Sequence, residues 1–354
     1  MSTRVIQMHV LHCSYFLAMH EGGRMFISAP IAIAANIWRA PGGNLPILKS
    51  LDVGSDLWDG VDIFGRAPAL TTVALITRLG SGQGNITNLR WPKIRTLVVT
   101  DSSGMVPSSS LSFAQSLGIG AALRLRLAGH VHDIPAVSPR PRICSDIQSL
   151  SLELELKASP ASPSVQKLAL GQIFESLTLP YLQRLGLVPK DGIQSPPVWH
   201  QEIFLDFALR SSLHKYLTHL TLHAQITDQE LLECLSRLPL LEELNISERN
   251  IPLPHIPITD TLLQGLTWRP DDIPLIPRLR SLHLSSRLRF TDNTYWELVV
   301  SRVTMRRNSA GGPFTTELRC LRHVKKRKFS QKVRSSLSGL ASQGDLQFVY
   351  ISKG

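Results

Sequence analysis

Residues 238–247 read LPLLEELNIS, and close copies of this phrase return along the chain. Each copy has proline at its second position and apolar residues at its fourth, seventh and ninth positions. The other copies are LPILKSLDV at 45–53, APALTTVAL at 67–75, WPKIRTLVV at 91–99, SPSVQKLAL at 162–170, LPYLQRLGL at 179–187 and IPRLRSLHL at 276–284. The last two apolar positions lie two residues apart, which is the spacing of side chains on one face of a β-strand. The phrase therefore predicts a recurring strand.

A helical pattern occupies several of the intervals between these strands. It is clearest in ITDQELLECLSRL at 226–238, where Thr227 and Glu230 have the spacing of a capping box and leucines follow at helical intervals. The same start, an apolar residue followed by Thr-Asp, returns at 258–260 and 290–292. The segment VWHQEIFLDFAL at 198–209 predicts a further helix, which follows two prolines.

Strand, turn, helix or short coil, and strand again is typical of a leucine-rich-repeat solenoid. The sequence predicts an α/β fold of this kind, with a curved parallel sheet and an irregular convex side of helices and loops. The intervals between Ile147, Val165 and Leu182 are short and predict loops or single turns. A globular α/β domain of unrelated units is the alternative. The apolar strand pattern begins at Leu48, Leu70, Ile94, Ala122, Ile147, Val165, Leu182, Leu217, Leu241, Leu279, Leu318 and Leu346.

The domain organisation follows from the same pattern. We expect residues 1–27 to be a disordered or capping segment and residues 28–354 to form the solenoid. The net charge of +11 is concentrated in residues 302–334, which hold eleven lysines and arginines against Glu317 as the only acid. The rest of the chain is close to neutral, so no basic groove is expected along its body.

Four widely spaced cysteines favour a reducing compartment over a disulfide framework or a zinc ribbon. The N-terminus lacks the uninterrupted apolar core of a signal peptide. The longest apolar run, at 29–38, is much shorter than the roughly 20 residues that span a bilayer. We expect a protein of the cytoplasm, the nucleus or both, with no membrane partner.

The sequence contains no recognisable catalytic or cofactor-binding motif, since GxSxG, HExxH and Walker patterns are all missing. The glycine-rich GSGQGN at 80–85 lacks the Lys-Ser/Thr ending of a phosphate-binding loop and predicts a flexible loop. The HVHD stretch at 130–133 lies near Cys144 in sequence but lacks the four ligands of a zinc site. We therefore expect a protein that is not an enzyme and that holds no cofactor or metal.

The strand pattern predicts a surface that could bind a partner. Residues that flank the last two apolar positions of a strand point away from the core, and in such solenoids they form a continuous concave surface. An ordinary solvated sheet face is the alternative for each residue. The residues chosen on this basis are His219, Thr221, His223, Glu243, Asn245, Ser281 and His283.

The basic run at Lys325, Lys326, Arg327 and Lys328 is the sharpest linear feature of the chain. It predicts a nuclear-localisation signal or a phosphate-contacting patch. A solvated loop is the alternative, because charge runs are usually exposed. Aromatic residues do not interleave with the run beyond Phe329, which argues against stacking on single-stranded nucleic acid.

From about residue 28 onward the chain resembles the leucine-rich-repeat part of fungal F-box-like proteins, particularly the divergent set of mushroom-forming basidiomycetes. The stretches that carry this resemblance are SAPIAIAANIW at 28–38, VDIFGRAPALTTVAL at 61–75, WHQEIFLDFALRSS at 199–212, LTHLTLHAQITDQELLECLSRLPLLEELNI at 217–246 and LSGLASQGDLQFVYIS at 337–352. In that family an N-terminal F-box docks the adaptor subunit of a cullin-based ubiquitin ligase, and the repeats hold a substrate. The first 27 residues contain no LPxE opening of an F-box.

The resemblance therefore implies the substrate-receptor half of such a protein, with a ligase adaptor as partner only if an F-box lies upstream of Met1. The first functional hypothesis is a non-catalytic module that binds a protein substrate on its concave sheet face. The second is a nuclear or nucleic-acid-associated protein that acts through the basic segment, and we rank nucleic acid below protein as a partner. The third is a truncated fragment without a function.

Overall fold

The computed structural model describes residues 4–10, 13–20, 24–28, 49–54, 68–77, 91–101, 108–130, 142–157, 163–188, 196–252, 255–308, 313–320 and 329–352. The chain divides into two compact units. Unit 1 comprises Met1–Val165 and Ser176–Leu179, and unit 2 comprises Gln166–Glu175 and Pro180–Gly354.

Unit 1 contains a mixed sheet whose strands follow one another in the order β1-β2-β3-β4-β5-β6-β7-β9. The first three strands pair antiparallel, and every pair from β3 to β9 is parallel. The short β8 and β10 pair separately. The strands are β1 (Arg4–Val10), β2 (Cys13–His20), β3 (Arg24–Ser28), β4 (Ser50–Gly54), β5 (Thr72–Thr77), β6 (Thr96–Asp101), β7 (Ala122–His130), β8 (Ile143–Cys144), β9 (Ser149–Lys157) and β10 (Leu177–Thr178).

Two helices belong to this first part of the chain. Helix α1 (Ser108–Ser116) links β6 to β7, and α2 (Pro163–Ser176) follows β9 and contributes residues 166–175 to unit 2. The N-terminal segment, for which the sequence left disorder or capping open, contains the antiparallel strands β1, β2 and β3.

Unit 2 alternates strands with helices, and each of its strands pairs in parallel with the next. Successive helices from α5 to α8 contact one another. Its strands are β11 (Arg184–Leu187), β12 (His219–Leu222), β13 (Glu243–Ser247), β14 (Ser281–Ser286), β15 (Phe314–Cys320) and β16 (Leu346–Ser352). Its helices are α3 (Gln201–Arg210), α4 (Leu213–Tyr216), α5 (Asp228–Ser236), α6 (Asp260–Leu266), α7 (Asp292–Asn308) and α8 (Gln331–Ser342). The predicted α/β class and parallel pairing are confirmed.

The proline of the repeated phrase forms a turn just before the strand. The carbonyl of Leu238 accepts a hydrogen bond from the Leu241 amide at 3.1 Å, with Pro239 at the second position of the turn. The same bond joins Ile276 to Leu279 at 3.1 Å, around Pro277. Proline suits this position because its ring fixes φ near the value that the turn requires. The fourth residue of the phrase is then buried, as at Leu241.

The period-two alternation of each strand separates a buried face from a polar face. In β13, Leu244 and Ile246 are buried and Glu243, Asn245 and Ser247 are partly exposed. Full burial of one leucine or isoleucine side chain contributes roughly 1.5–3 kcal/mol relative to its exposure. Each strand of the repeat makes this contribution again, so the core is a row of aliphatic side chains beneath the parallel strands.

The Φ-Thr-Asp phrase marks true helix starts. Thr227 accepts a hydrogen bond from the Glu230 amide at 3.3 Å, and Glu230 accepts one from the Thr227 amide at 2.9 Å, which completes the predicted capping box. Thr259 caps α6 by accepting a hydrogen bond from the Leu262 amide, and Thr291 caps α7 by accepting one from the Thr294 amide, in both cases without the reciprocal glutamate of a capping box. The apolar residue that precedes each threonine is buried.

The aspartate of the phrase connects one strand–helix unit to the next. Asp228 Oδ2 accepts a hydrogen bond from Thr259 Oγ1 at 2.6 Å, and Asp260 Oδ1 accepts one from the Thr291 amide at 2.8 Å. Asp292 continues the series by accepting a hydrogen bond from the Ser330 amide at 2.7 Å. The same kind of hydrogen bond therefore recurs at three consecutive boundaries between strand–helix repeats.

Several sequence predictions about individual elements are wrong. The strand predicted from Val165 is part of helix α2, which begins at Pro163, so the interval from Ile147 to Leu182 holds a helix instead of loops. Proline is well suited to the first turn of a helix, because that turn's amides have no partner within the helix. The pattern from Leu346 has the wrong register as well. Val349 lies on the exposed face, while Phe348 pairs with the buried Thr316 of β15.

The pattern that begins at Ala122 places Leu125 and Leu127 correctly on the buried face of β7, where Leu123 is buried as well, while Ala122 itself is partly exposed. The pattern that begins at Leu318 has shifted register. In β15 the buried residues are Phe314, Thr316 and Leu318, so Leu318 ends the buried set instead of beginning the pattern.

Candidate functional site

The parallel register of unit 2 aligns residues in two adjacent rows on one face of the sheet, and all of them except Gly186 and Val349 are polar. All of these residues except Gly186 carry side chains that are at least partly exposed. The first row is Arg184, His219, Glu243, Ser281, Thr315 and Gln347, and the second is Gly186, Thr221, Asn245, His283, Glu317 and Val349. Neighbouring strands lie about 4.8 Å apart, so the rows form one continuous surface, called the polar strand face below.

The polar strand face brings together six of the seven residues selected from the sequence. His219 and Glu243 occupy paired positions on β12 and β13, and His219 Nε2 lies 3.5 Å from Glu243 Oε2. The other ring nitrogen of His219, Nδ1, lies 2.8 Å from Thr218 Oγ1. Thr221 and Asn245 form the adjacent pair in the second row.

A second histidine–glutamate contact lies two strands further along. His283 Nδ1 lies 3.3 Å from Glu317 Oε2 on β15, and His283 Nε2 lies 2.7 Å from Ser281 Oγ on its own strand. With the proton on Nδ1, the imidazole donates to the carboxylate and accepts from the serine hydroxyl. The face thus offers hydrogen-bond donors and acceptors without a large excess of either charge.

His223, the seventh selected residue, lies outside this face. It follows β12 and is buried, and its Nδ1 lies 3.1 Å from the carbonyl oxygen of Ser247. Burial lowers the pKa of His223 below its ordinary value, and the contact with Ser247 acts in the opposite direction. Its prediction as a surface residue is wrong, because His223 is buried together with its neighbours Leu222 and Ala224.

Unit 1 contains a polar cluster that the sequence analysis missed. Glu153 of β9 is buried, and its carboxylate accepts hydrogen bonds from Arg124 and from Arg126 Nε, the latter at 2.8 Å. The register pairs Arg126 with Glu153 directly. The alternating ALRLRL and SLELEL stretches placed these charges on one face, but the pairing partner of β7 was needed to bring them together.

Part of the basic segment 302–334 has a structural role. Arg302 is buried, and it donates hydrogen bonds to the carbonyls of Leu266 at 2.8 Å, Leu275 at 2.7 Å and Ile276 at 3.0 Å. Burial lowers the pKa of Arg302 to about 10. Arg307 pairs with Asp345. The hydrogen bond between them raises the pKa of Arg307 and lowers the pKa of the Asp345 carboxyl group.

Some of the remaining predictions concern residues outside the described ranges. Lys325 to Lys328 and residues 131–133 lie outside them. Within the ranges given above, no three His, Cys, Asp or Glu side chains come together as a metal ion would require. None of the helices in the same ranges is long and apolar enough to cross a membrane.

No protein-family model matches the chain, and no curated protein is significantly similar to it.

Proposed function

We propose that the chain is a leucine-rich-repeat solenoid that binds a protein partner on its polar strand face and catalyses no reaction itself. Its role would be similar to that of the substrate-receptor half of F-box proteins, as the sequence resemblance implies. Docking of a ligase adaptor is part of the proposal only for a chain that also carries an F-box.

The repeated contacts between units support the solenoid. Turns around Pro239 and Pro277, threonine caps at Thr227 and Thr259, and aspartate contacts across unit boundaries recur in the same order. Such nearest-neighbour contacts are typical of repeat proteins, whose units cannot bury their apolar face alone.

The polar strand face carries the functional proposal. Thr221, Asn245 and His283 are aligned by the strand register, and all three are partly exposed. A surface with hydrogen-bonding side chains at regular spacing suits the backbone and polar side chains of another protein. The shallow cleft lined by Leu288, Phe290, Asp292 and Phe329 encloses essentially no space for a ligand, whereas small-molecule sites typically enclose roughly 300–1,000 Å³.

The contact between Ser281, His283 and Glu317 repeats the order of groups in serine hydrolases, yet its setting favours binding. Hydrolases hold the serine in a water-excluded site with preorganised donors for the oxyanion. Ser281 lies on a regular strand, and the histidine and glutamate beside it are partly exposed to solvent.

The nucleic-acid alternative is weakened by the basic segment itself. Arg302 is consumed by three backbone carbonyls and Arg307 pairs with Asp345, so neither is a free phosphate ligand. Binding to nucleic acid would depend on exposed cations that release counterions.

Arginine substitutions on the polar strand face test the proposal. The variant Thr221→Arg/Asn245→Arg places two bulky cations in the second row of the face. The matched control Gln229→Arg/Gln264→Arg adds the same charge at exposed positions of α5 and α6. Proteins that copurify with each variant from an extract of the native cells are quantified by mass spectrometry.

We expect at least one partner to be lost about tenfold or more from the face variant and retained by the control, which corresponds to roughly 1.4 kcal/mol of binding free energy. An identical set of copurifying proteins for both variants would contradict the proposal.

A further inference from the structure

Apolar residues that are exposed or partly exposed recur at one position of the strand–helix repeat in unit 2. This position lies three residues before the first residue of a strand. Tyr181 occupies it before β11, Tyr216 before β12 and Leu240 before β13. These three residues are called the rim strip below.

The two tyrosines of the rim strip are exposed and contact each other. Tyr181 is 43% exposed and Tyr216 is 39% exposed. Their ring centroids lie 5.6 Å apart at an angle of 58°. Each ring therefore holds its neighbour in place while a large part of both remains open to solvent. Leu240 is partly exposed at the equivalent position of the next unit.

Backbone hydrogen bonds fix the alignment of the strip. The Gln183 carbonyl accepts hydrogen bonds from the amides of Thr218 at 2.9 Å and His219 at 3.0 Å. The Thr218 carbonyl likewise accepts from the amides of Glu242 at 2.8 Å and Glu243 at 3.0 Å. Successive strand starts are thus held side by side, and the residues that precede them form a strip along one edge of the polar strand face.

Three exposed cations stand beside the strip. Arg184, Lys215 and Arg278 are exposed, and none of them forms an ion pair with another residue in the described part of the chain. The two neighbouring acids have partners of their own, since Glu242 lies 3.6 Å from Arg280 and Glu243 lies 3.5 Å from His219. The strip is therefore flanked by cations that are available to a partner.

We propose that the rim strip binds an acidic segment of a protein partner in which an apolar or aromatic side chain stands next to carboxylates. The apolar side chain packs against Tyr181, Tyr216 and Leu240, and the carboxylates pair with Arg184 and Lys215. This inference rests on the proposed function, because it names where and by which chemistry a partner is held.

The chemistry of these residues suits a binding hot spot. Tyrosine and arginine are enriched among the residues that dominate binding energy at interfaces. Tyrosine supplies a large rigid surface at a low cost in side-chain entropy. Complementary charge around an apolar centre raises the association rate and selects against partners of the wrong sign.

Random twelve-residue peptides displayed on phage and selected against the full chain test the inference. Selected peptides are then measured against Tyr181→Ser/Tyr216→Ser and against Arg184→Glu/Lys215→Glu. The matched controls are Leu209→Ser, which removes an apolar side chain that is 74% exposed on α3, and Lys332→Glu on α8. Thermal unfolding of each variant, followed by circular dichroism, shows that the fold is retained.

We expect selected peptides to combine Asp or Glu with Phe, Trp or Leu. The affinity of the tyrosine variant for these peptides should be lower by about tenfold or more. The charge-reversal variant should also bind more weakly, and its affinity should depend less on salt concentration than that of the wild type. Both control variants should bind within about twofold of the wild type.

Each of the following outcomes overturns the inference, and together they separate it from the proposed function. Peptides without acidic residues, or peptides that bind the tyrosine variant normally, overturn the rim strip. If those peptides fail to bind the variant Thr221→Arg/Asn245→Arg, the proposed function stands without the strip. If neither the strip variant nor the face variant affects any peptide, both proposals fail. A wild-type dimer that Tyr181→Ser/Tyr216→Ser converts to a monomer would assign the strip to a second copy of the chain and also overturn the acidic partner.

Discussion

Thr259 Oγ1 donates a hydrogen bond of 2.6 Å to Asp228 Oδ2, so the residue that caps helix α6 is held by the first residue of helix α5. Thr259 also accepts a hydrogen bond from the Leu262 amide at 3.3 Å. One side chain therefore completes its own helix start and links two units. The repeated Thr-Asp phrase has this consequence because threonine serves its own unit and aspartate reaches the next.

Removing one of these links should lower the stability measurably. Asp260→Ala takes away the acceptor of the Thr291 amide, and it also removes a negative charge from the first turn of α6. We expect a loss of about 1 kcal/mol in the free energy of unfolding, measured by urea denaturation. Asp260→Asn should cost less because an amide oxygen can still accept the bond. An equal loss in Asp271→Ala, an exposed position outside this series, would show that the link contributes nothing specific.

Arg302 should be among the most sensitive positions of unit 2. Arg302→Met leaves the carbonyls of Leu266, Leu275 and Ile276 without their donor inside the protein. We expect a cost of about 3 kcal/mol or more, since an unpaired buried polar group costs roughly 1–3 kcal/mol. The exposed Arg289→Met is the control and should change stability by less than about 0.5 kcal/mol. Similar denaturation midpoints for the two variants would refute the structural role of Arg302.

The buried His223 should make stability depend on pH. Burial lowers its pKa in the folded state below the ordinary value of 6.5. The unfolded chain then binds more protons between these two pKa values. Stability is therefore complete above about pH 6.5 and is lost as the pH falls toward the folded pKa. His223→Gln keeps a donor for the Ser247 carbonyl and removes the titration.

Urea denaturation at several pH values measures this difference. The free energy of unfolding should fall more steeply for the wild type than for His223→Gln as the pH drops below about 6.5. Parallel curves for the two proteins would show that His223 titrates alike in the folded and unfolded chain.

Ser281 should not act as a nucleophile even though it contacts His283. A partly exposed hydroxyl on a regular strand lacks the preorganised oxyanion donors that drive acyl transfer. We expect a fluorophosphonate probe to leave Ser281 unlabelled under conditions that fully label a serine hydrolase, as judged by peptide mass spectrometry. Labelling of Ser281 that disappears in His283→Ala and Glu317→Gln would replace the binding proposal with a catalytic one.

Local signals in the sequence predicted the elements that depend on local chemistry. The capping box of Thr227 and Glu230 and the alternation of Leu244 with Asn245 both lie where the sequence placed them. Each of these features is decided by residues within a few positions of one another. The polar strand face follows from the alternation once the strands are parallel and in register.

Features that depend on distant partners were predicted wrongly or not at all. One local prediction was wrong as well, since the apolar spacing from Val165 fits a strand although a helix begins two residues earlier at Pro163. The register of β16 is set by its pairing with Phe314 and Thr316 of β15, which the spacing after Leu346 does not contain. The sequence analysis counted Arg302 only in the charge of the basic segment and missed its buried role, because its three carbonyl partners lie 26 to 36 residues away in sequence.

The central claim is that the polar strand face holds a protein partner, and site-specific photocrosslinking tests it most directly. A benzophenone amino acid is placed at Asn245 on this face, or at the exposed Gln229 on α5, and each full-length chain is irradiated in an extract of the native cells. We predict a covalent adduct from position 245 that an excess of unlabelled wild-type chain abolishes, and no such adduct from position 229. Adducts of equal yield from both positions, or a competed adduct from position 229 alone, would contradict the claim.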